Sequence, residues 1–290
     1  MTAAGSDSAG SPWRLRRARA VALLERTSHA EELLGFYVGL MELQERVAER
    51  VPVDRWVPLV REPPDSFVRL AVDRLPVREM VSHFDGFLEG VSAVGTEVIR
   101  DSARDLLEAD EARRSEALHA TLVAGRGGDG GAPERGGGGS EPADFHARAF
   151  VEPLITTLAA AVASLPPEPT RGRCFVCGAL PQVSVLRDAP DAVGARSLLC
   201  SMCATEWRFP RLTCPHCGET DADRLPVHTA EAVPHVRIDT CLTCRRYIKS
   251  VDVRRDGTAV PLVDEVATVE LDLWAGDQGL SKIRSNLLGL

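Results

Sequence analysis

Cys174-Phe-Val-Cys177-Gly178, Leu199-Cys200-Ser-Met-Cys203, Cys214-Pro-His-Cys217-Gly218 and Thr240-Cys241-Leu-Thr-Cys244 contain all eight cysteines of the chain, arranged as four Cys-x-x-Cys pairs. Two such pairs supply four thiolates, a full tetrahedral shell for zinc or for a single iron. Each pair implies a tight turn whose backbone N–H groups can face the sulfurs. The glycines after Cys177 and Cys217 allow the backbone angles such a turn requires. A disulfide framework is the reading for a short secreted chain, whereas these cysteines occupy one part of a 290-residue chain. The first residues, MTAAGSDSAGSPWRLRRARA, lack the apolar run of a signal peptide.

The spacing also indicates which pairs share an ion. Cys174 to Cys214 and Cys177 to Cys217 are each 40 positions apart, and Cys200 to Cys241 and Cys203 to Cys244 are each 41, so one unit is written twice. An aromatic follows the second pair of each unit, Trp207 and Tyr247. The simplest consequence is two consecutive modules, one holding Cys174, Cys177, Cys200 and Cys203, the other Cys214, Cys217, Cys241 and Cys244. Interleaved pairing, first with third and second with fourth, is the alternative. A module of roughly 40 residues buries too little apolar surface to fold unaided, and a four-thiolate site contributes on the order of 10–16 kcal/mol of apparent binding energy, so the ion is expected to be structural. With every coordination position filled by sulfur, no site is left for activating water. Alternating segments at Gln182 to Leu186, Val233 to Ile238 and Tyr247 to Val253 read as strands of small sheets, giving two zinc-ribbon or rubredoxin-like knuckles.

Outside this region the periodicity is helical. Ser28 with Glu31 forms a capping-box pattern, and Leu33, Tyr37, Leu40 and Val47 then line one face until Val51-Pro52. A proline-punctuated connection (Pro52, Pro58, Pro63, Pro64) precedes helices over Ser66 to Leu75, Val77 to Val91, Thr96 to Glu108 and Glu111 to Ala124. The apolar stripe Met80, Phe84, Phe87, Leu88, Val91 reads as core, with a partner groove as the sharper alternative. Gly125 to Ser140 reads as a flexible glycine-rich loop. Asp144 to Leu165 resumes a helix that Pro153 kinks or restarts, and Pro166-Pro167 ends it. Leu262, Val266, Val269 and Leu273 mark a short amphipathic helix.

The expected fold is thus α+β, divided as follows: a helical domain over 1–124, a flexible loop over 125–142, a helix completing the helical domain over 143–169, the first four-cysteine module over 170–212, the second over 213–258, and a C-terminal helix and tail over 259–290. No stretch of about 18 uncharged apolar residues exists, so membrane insertion is not expected and the cytoplasm is the expected compartment. A net charge of −8, from 42 acidic and 34 basic residues, and 5% aromatics weigh against nucleic acid as the main partner. No G-x-x-x-x-G-K-[ST] is present, which leaves no phosphate cradle of that kind. His216, His228 and His235 read as ordinary surface residues, because eight thiolates already divide evenly into two shells. Arg16-Arg17 reads as a solvated or interface cluster, since charged helical sequence follows it. Asp264, Glu265, Glu270 and Asp272 read as the wet face of an amphipathic helix.

With their flanks, the four pairs resemble the formate dehydrogenase accessory protein family, FdhE. The resemblance is carried by Cys174-Phe-Val-Cys177-Gly178 with Pro181, Leu199-Cys200-Ser-Met-Cys203-Ala204 with Glu206-Trp207, Cys214-Pro-His-Cys217-Gly218, and Thr240-Cys241-Leu-Thr-Cys244 with Tyr247 and Lys249. It extends more weakly to Ala30–Gln44, Phe145–Ala159 and Pro261–Trp274, while Gly125 to Ser140 looks like an insertion. What the resemblance implies is a non-enzymatic cytoplasmic assembly factor that binds two iron ions through these motifs, with zinc as the other candidate, and engages the catalytic subunit of formate dehydrogenase. Two other classes compete with it. A nucleic-acid-binding zinc-ribbon protein draws on the basic excess between Arg171 and Arg255, which includes Arg245, Arg246, Arg254 and Arg255. Thiol or sulfur-transfer chemistry would require a freely cycling pair, and the βαβ context of thioredoxin-like motifs is not found.

Overall fold

Proline in the first turn, where its missing N–H costs nothing, opens α1 (Pro12–Leu24). Among the described residues, six further helices precede the cysteines: α2 (Glu31–Ala48), α3 (Val53–Val60), α4 (Val77–Val94), α5 (Glu97–Glu108), α6 (Glu111–Gly125) and α7 (Pro142–Val162). This computed structural model describes residues 11–26, 31–63, 66, 68–125, 142–162 and 172–289. Ser28, Pro64, Pro166-Pro167 and nearly all of the glycine-rich stretch lie outside the described residues. The stripe on α4 is core: Met80, Phe84, Phe87, Leu88 and Val91 are all buried, and Phe84 and Phe87 lie against Phe150 of α7 at ring-centroid distances of 5.1 and 5.7 Å.

Pro153 sits inside α7, a single helix, and has no N–H to offer the carbonyl of Ala149 four residues earlier. The buried Gln44 of α2 supplies the missing donor, its Nε2 lying 2.7 Å from that oxygen. A proline that disrupts one helix in isolation thereby fixes the register of two.

Two stretches of the helical region depart from the sequence-based expectation. The proline-punctuated connection contains α3, with Pro58 inside it and Trp56 buried. Within 66–75, in place of a helix, the described residues form only the 3₁₀ turn Val72–Arg74 and an isolated antiparallel bridge, Arg61 to Leu70. The cause is tertiary: the amides of Arg69 and Leu70 donate to the carbonyl of Val176 at 2.9 and 2.8 Å, and are therefore unavailable for helical bonds. These bonds attach the helical region to the first cysteine turn.

Among the described residues seven strands follow: β1 (Pro181–Ala189), β2 (Ala192–Cys200), β3 (Glu206–Arg208), β4 (Val227–Thr229), β5 (Val236–Cys241), β6 (Arg246–Asp252) and β7 (Ser281–Lys282). They form one sheet of order β3-β2-β1-β6-β5-β4, with β7 also on β6. The expected pair of small separate sheets is thus joined at its centre by a parallel contact, Val183 with Lys249 through Leu186 with Asp252. Along the same edge of β6, β7 pairs with Arg246 and Tyr247, so β1 and β7 divide that edge between them. One face of the sheet, with Val183, Val185, Val236, Ile238, Tyr247 and Val251, forms a second core cluster under the C-terminal segment.

That segment consists of two helices rather than one, α8 (Pro261–Ala267) and α9 (Val269–Asp277). The break falls at Thr268, whose hydroxyl donates back to the carbonyls of Asp264 and Glu265 at 2.9 and 3.2 Å. Beyond it the buried phase moves to Leu271 and Ala275, and Leu273 is exposed.

Candidate metal centres

The four cysteine turns are built alike. Cys174 N–H donates to Ala179 O at 2.9 Å and Gly178 N–H to Cys174 O at 2.8 Å; Cys214 N–H donates to Glu219 O at 2.8 Å and Gly218 N–H to Cys214 O at 3.0 Å. Gly178 and Gly218 have φ of 82° and 79°, the left-handed conformation their position in the turn requires. The corresponding positions after Cys203 and Cys244 also have positive φ, 52° at Ala204 and 58° at Arg245, which residue type alone did not reveal. The amides of Val176 and Met202 point at the sulfurs of Cys174 and Cys200, each at 3.4 Å.

These turns bring all eight predicted residues together in two groups of four, taken consecutively: Cys174, Cys177, Cys200 and Cys203, then Cys214, Cys217, Cys241 and Cys244. In the first group, Cys174–Cys203, Cys177–Cys200 and Cys177–Cys203 sulfurs are 3.5, 3.4 and 3.5 Å apart. In the second, Cys214–Cys244 and Cys217–Cys241 are 3.8 and 3.7 Å apart. A regular tetrahedron with metal–sulfur bonds of about 2.3 Å has edges of about 3.8 Å, so the sulfurs stand where a four-thiolate ion would hold them, and far beyond the roughly 2.05 Å of a disulfide. Each turn contributes two sulfurs to one group and the sheet fixes the turns, so the donor set fits zinc or iron in geometry and in chemistry.

The electrostatics favour the same occupant. Burial pushes the Cys174 thiol up, but contacts from Cys177, Cys200 and Cys203 outweigh it and hold the group well below the ordinary thiol range. Cys177 is pushed far up, chiefly by Cys174, and Cys200 far up, chiefly by burial. In the second group Cys214 is drawn down to about 5, chiefly by Cys244, which is itself pushed up by Cys214. Four crowded thiols ionise together only with a cation among them.

The two groups differ in access. All four cysteines of the first are at most 2% exposed, packed into the main core beside Val176. In the second, Cys217 is exposed and Cys244 half-buried.

Beside these groups lies a buried ionic network that the sequence reading placed at the surface. Lys249 of β6 is fully buried, and its Nζ reaches Glu265 Oε1 at 3.1 Å and Asp272 Oδ2 at 2.6 Å. Lys282 of β7 pairs with Glu265 as well and lies 3.0 Å from Asp272. Tyr247 donates to Asp272 at 2.8 Å, and Gln182 to Glu265 at 3.1 Å. Burial alone would push the Glu265 carboxyl up, but Lys249 and Lys282 outweigh it and bring it down to about 2. Asp264 is likewise buried, held by Arg19 of α1 through Nε at 3.0 Å to Oδ2 and approached by His235 Nε2 at 2.9 Å. Asp264, Glu265 and Asp272 therefore face inward, each paired with a cation from another element. His235, Asp256 and Asp264 could in principle hold an ion. The Arg19 guanidinium already bonds both carboxylates, at 2.7 Å to Asp256 and as given above to Asp264, and supplies the charge an ion would bring. Arg16, read as a surface or interface residue, is buried, stacked 4.3 Å from Trp13 and paired with Glu152 at 2.8 Å, while Arg17 is half-buried and pairs with Glu42. His216 stands outside both sulfur groups.

The comparisons with known proteins fall on this same region. The family described as "FdhE, central domain" matches residues 173–211, and "FdhE, C-terminal domain" matches 212–288. A protein FdhE homolog of Aquifex aeolicus (strain VF5) is 38% identical over 145 residues, 50% of this chain and 51% of the relative. Another, of Stutzerimonas stutzeri (strain A1501), is 35% identical over 116 residues, 40% of this chain and 37% of the relative. The match thus spans about half or less of these curated relatives. The crystal structure of the FdhE protein from Pseudomonas aeruginosa superposes with a TM-score of 0.70 over 96% of each chain at 22% identity, a likeness of fold that includes the helical region. Residues 173–288, which carry both four-sulfur groups, match the central and C-terminal domains of the FdhE family.

Proposed function

We propose that this chain is a non-enzymatic accessory protein for formate dehydrogenase, which works in the cytoplasm and engages the catalytic subunit during assembly. The observation that carries the proposal is the pair of four-sulfur cages with tetrahedral spacing, one sealed against the helical region and one at the surface. Cys174, Cys177, Cys200 and Cys203 hold one ion; Cys214, Cys217, Cys241 and Cys244 hold the other. The ions are iron, by resemblance to the family, and the same shells accept zinc. In this reading residues 170–212 and 213–258 each supply one knuckle of zinc-ribbon or rubredoxin type, 259–290 cover the sheet, and 1–124 with 143–169 form the helical platform, with 125–142 between them. Bound metal supplies rigidity to turns too small to hold themselves. The thiolates fill its coordination, so substrate has no position on it. The buried carboxylates described above are neutralised by lysine or arginine, which suits them to holding elements together rather than to moving protons. Among the described residues no helix is long and apolar enough to cross a membrane.

Elemental analysis and visible absorption of anaerobically purified full-length chain test the metal assignment, with two ions per chain expected. Affinity capture of a formate dehydrogenase catalytic subunit tests the partner. Cys174→Ser with Cys177→Ser is expected to abolish capture while the helical content seen by circular dichroism persists. Capture that is absent from the unaltered protein, or unchanged in the double variant, would overturn the proposal.

A further inference from the structure

Phe209 to Thr213, the connection between the two cysteine groups, crosses one face of the sheet and leaves a cavity of about 170 Å³ beside the second group. The connection is tied down by Arg196 of β2, buried, whose Nη1 donates to the carbonyls of Pro210 and Thr213 at 3.3 and 3.0 Å and whose Nε donates to Ser184 at 2.9 Å. Four guanidinium groups line the cavity, Arg196, Arg211, Arg237 and Arg246, against one carboxylate, Asp239. Asp239 is already shared, lying 2.9 Å from Arg237 Nε and 3.5 Å from Arg196 Nη2. Arg211 and Arg246 have no carboxylate partner among the described residues; Arg246 donates through Nη1 to the carbonyl of Lys282 at 3.3 Å, leaving the rest of its fork uncommitted.

The sulfurs of Cys214 and Cys241 also border the cavity, and their charge must be counted before an anion is invoked. A divalent ion with four thiolates adds two negative charges, and Asp239 adds a third. Four guanidiniums still leave an excess of one positive charge, in a partly enclosed space where such an excess is weakly screened. Neutralising the thiolates therefore does not account for all four arginines. At about 30 Å³ per water, the space holds about six waters, enough room for the five heavy atoms of a phosphate.

We propose that this cavity is a binding site for a phosphate-type oxyanion, with Arg211 and Arg246 as its direct donors and Arg196 and Arg237 setting the field around it. Guanidinium forks match the oxygens of such an anion two at a time, which a lysine cannot do. Leu212 and Val227 at the lining are exposed, so an anion carried on a small organic molecule has apolar surface to rest on.

The test is isothermal titration calorimetry of the metal-loaded full chain at low ionic strength, with inorganic phosphate in one arm and glycerol 3-phosphate in the other. Saturable binding at one site per chain is expected in at least one arm. Arg211→Gln and Arg246→Gln should each weaken it about tenfold or more, each removing a charge-assisted donor. Arg208→Gln, whose partner Asp191 lies away from the cavity, should leave it unchanged. Arg211 is exposed, so its substitution tests binding without testing folding, and unaltered metal content in each variant confirms an intact second group. Tighter binding of the ester identifies an organic phosphate as the occupant; tighter binding of inorganic phosphate identifies the free ion. No saturable binding in either arm up to about 10 mM, or binding that survives both substitutions, overturns the proposal.

Discussion

Challenged with excess chelator, the two metal centres are expected to empty at rates differing by at least about a hundredfold. The second group can be attacked directly, because Cys217 is exposed and Cys244 is half-buried. The first is sealed: its cysteines and Val176 are buried, and the amides of Arg69 and Leu70 hold the Val176 carbonyl. Opening it breaks two backbone hydrogen bonds, at about 0.5–1.5 kcal/mol each, and exposes a valine side chain, at about 1.5–3 kcal/mol. The resulting cost of about 2.5–6 kcal/mol slows release by a factor of about 10²–10⁴. The assay is stopped-flow absorbance of zinc-loaded protein mixed with a chromogenic chelator, where two phases of one equivalent each are expected. Cys217→Ser should remove or greatly accelerate only the fast phase. Two ions leaving within about threefold of each other, or a slow phase that responds to Cys217→Ser, would refute the link between burial and retention.

Other expectations follow from single contacts. Gln44→Leu strands the Ala149 carbonyl and should cost about 1–3 kcal/mol in chemical denaturation, and Pro153→Ala in the same chain should recover much of that by restoring the helical donor; additive losses in the double variant would remove this explanation. Lys249→Met leaves Glu265 and Asp272 buried with only Lys282 between them and should destabilise by about 3–5 kcal/mol, read as a lowered melting temperature. His146 is buried, its Nε2 lying 2.8 Å from Ser102 Oγ, and burial lowers its pKa to about 4 despite a backbone contact from Ile99. Between pH 6.5 and 4 the unfolded chain takes up a proton that the folded chain refuses, so stability should fall across that window by up to about 3 kcal/mol. Urea denaturation at pH 7 and 4.5 should show a smaller loss for His146→Gln than for the unaltered protein; equal losses would exclude His146 as the cause. Glu265, held down to about 2, acts in a lower window: its contribution is complete above about 4.3 and lost as pH falls towards 2.

The cysteine pairs announced their own partners because metal-binding turns depend on local spacing, and the duplicated interval of 40 and 41 residues pointed to consecutive grouping. Helices with strong periodicity, such as α4 and α5, were legible for the same reason: their information lies within a few turns. What escaped was non-local. The segment around Leu70 gives its amides to Val176, a residue far along the chain, and no local pattern records that debt. Asp264, Glu265 and Asp272 read as a wet face because their cations come from Arg19, Lys249 and Lys282, on three other elements. The parallel pairing of β1 with β6, which joins the two cysteine units, carries no signature in either strand. The cavity beside the second group, likewise, exists only once the connection is folded over the sheet.

That parallel pairing sets an order of events during synthesis. Residues 174–203 can close their sulfur cage as soon as they leave the ribosome, but the free side of β1 must wait for a strand made much later, and until then it is an unclaimed edge open to adhesion. Under the proposed metal binding, loading the first cage early would hold that hairpin in shape through the vulnerable interval, and metal supply would then set the yield of native protein as well as its final stability.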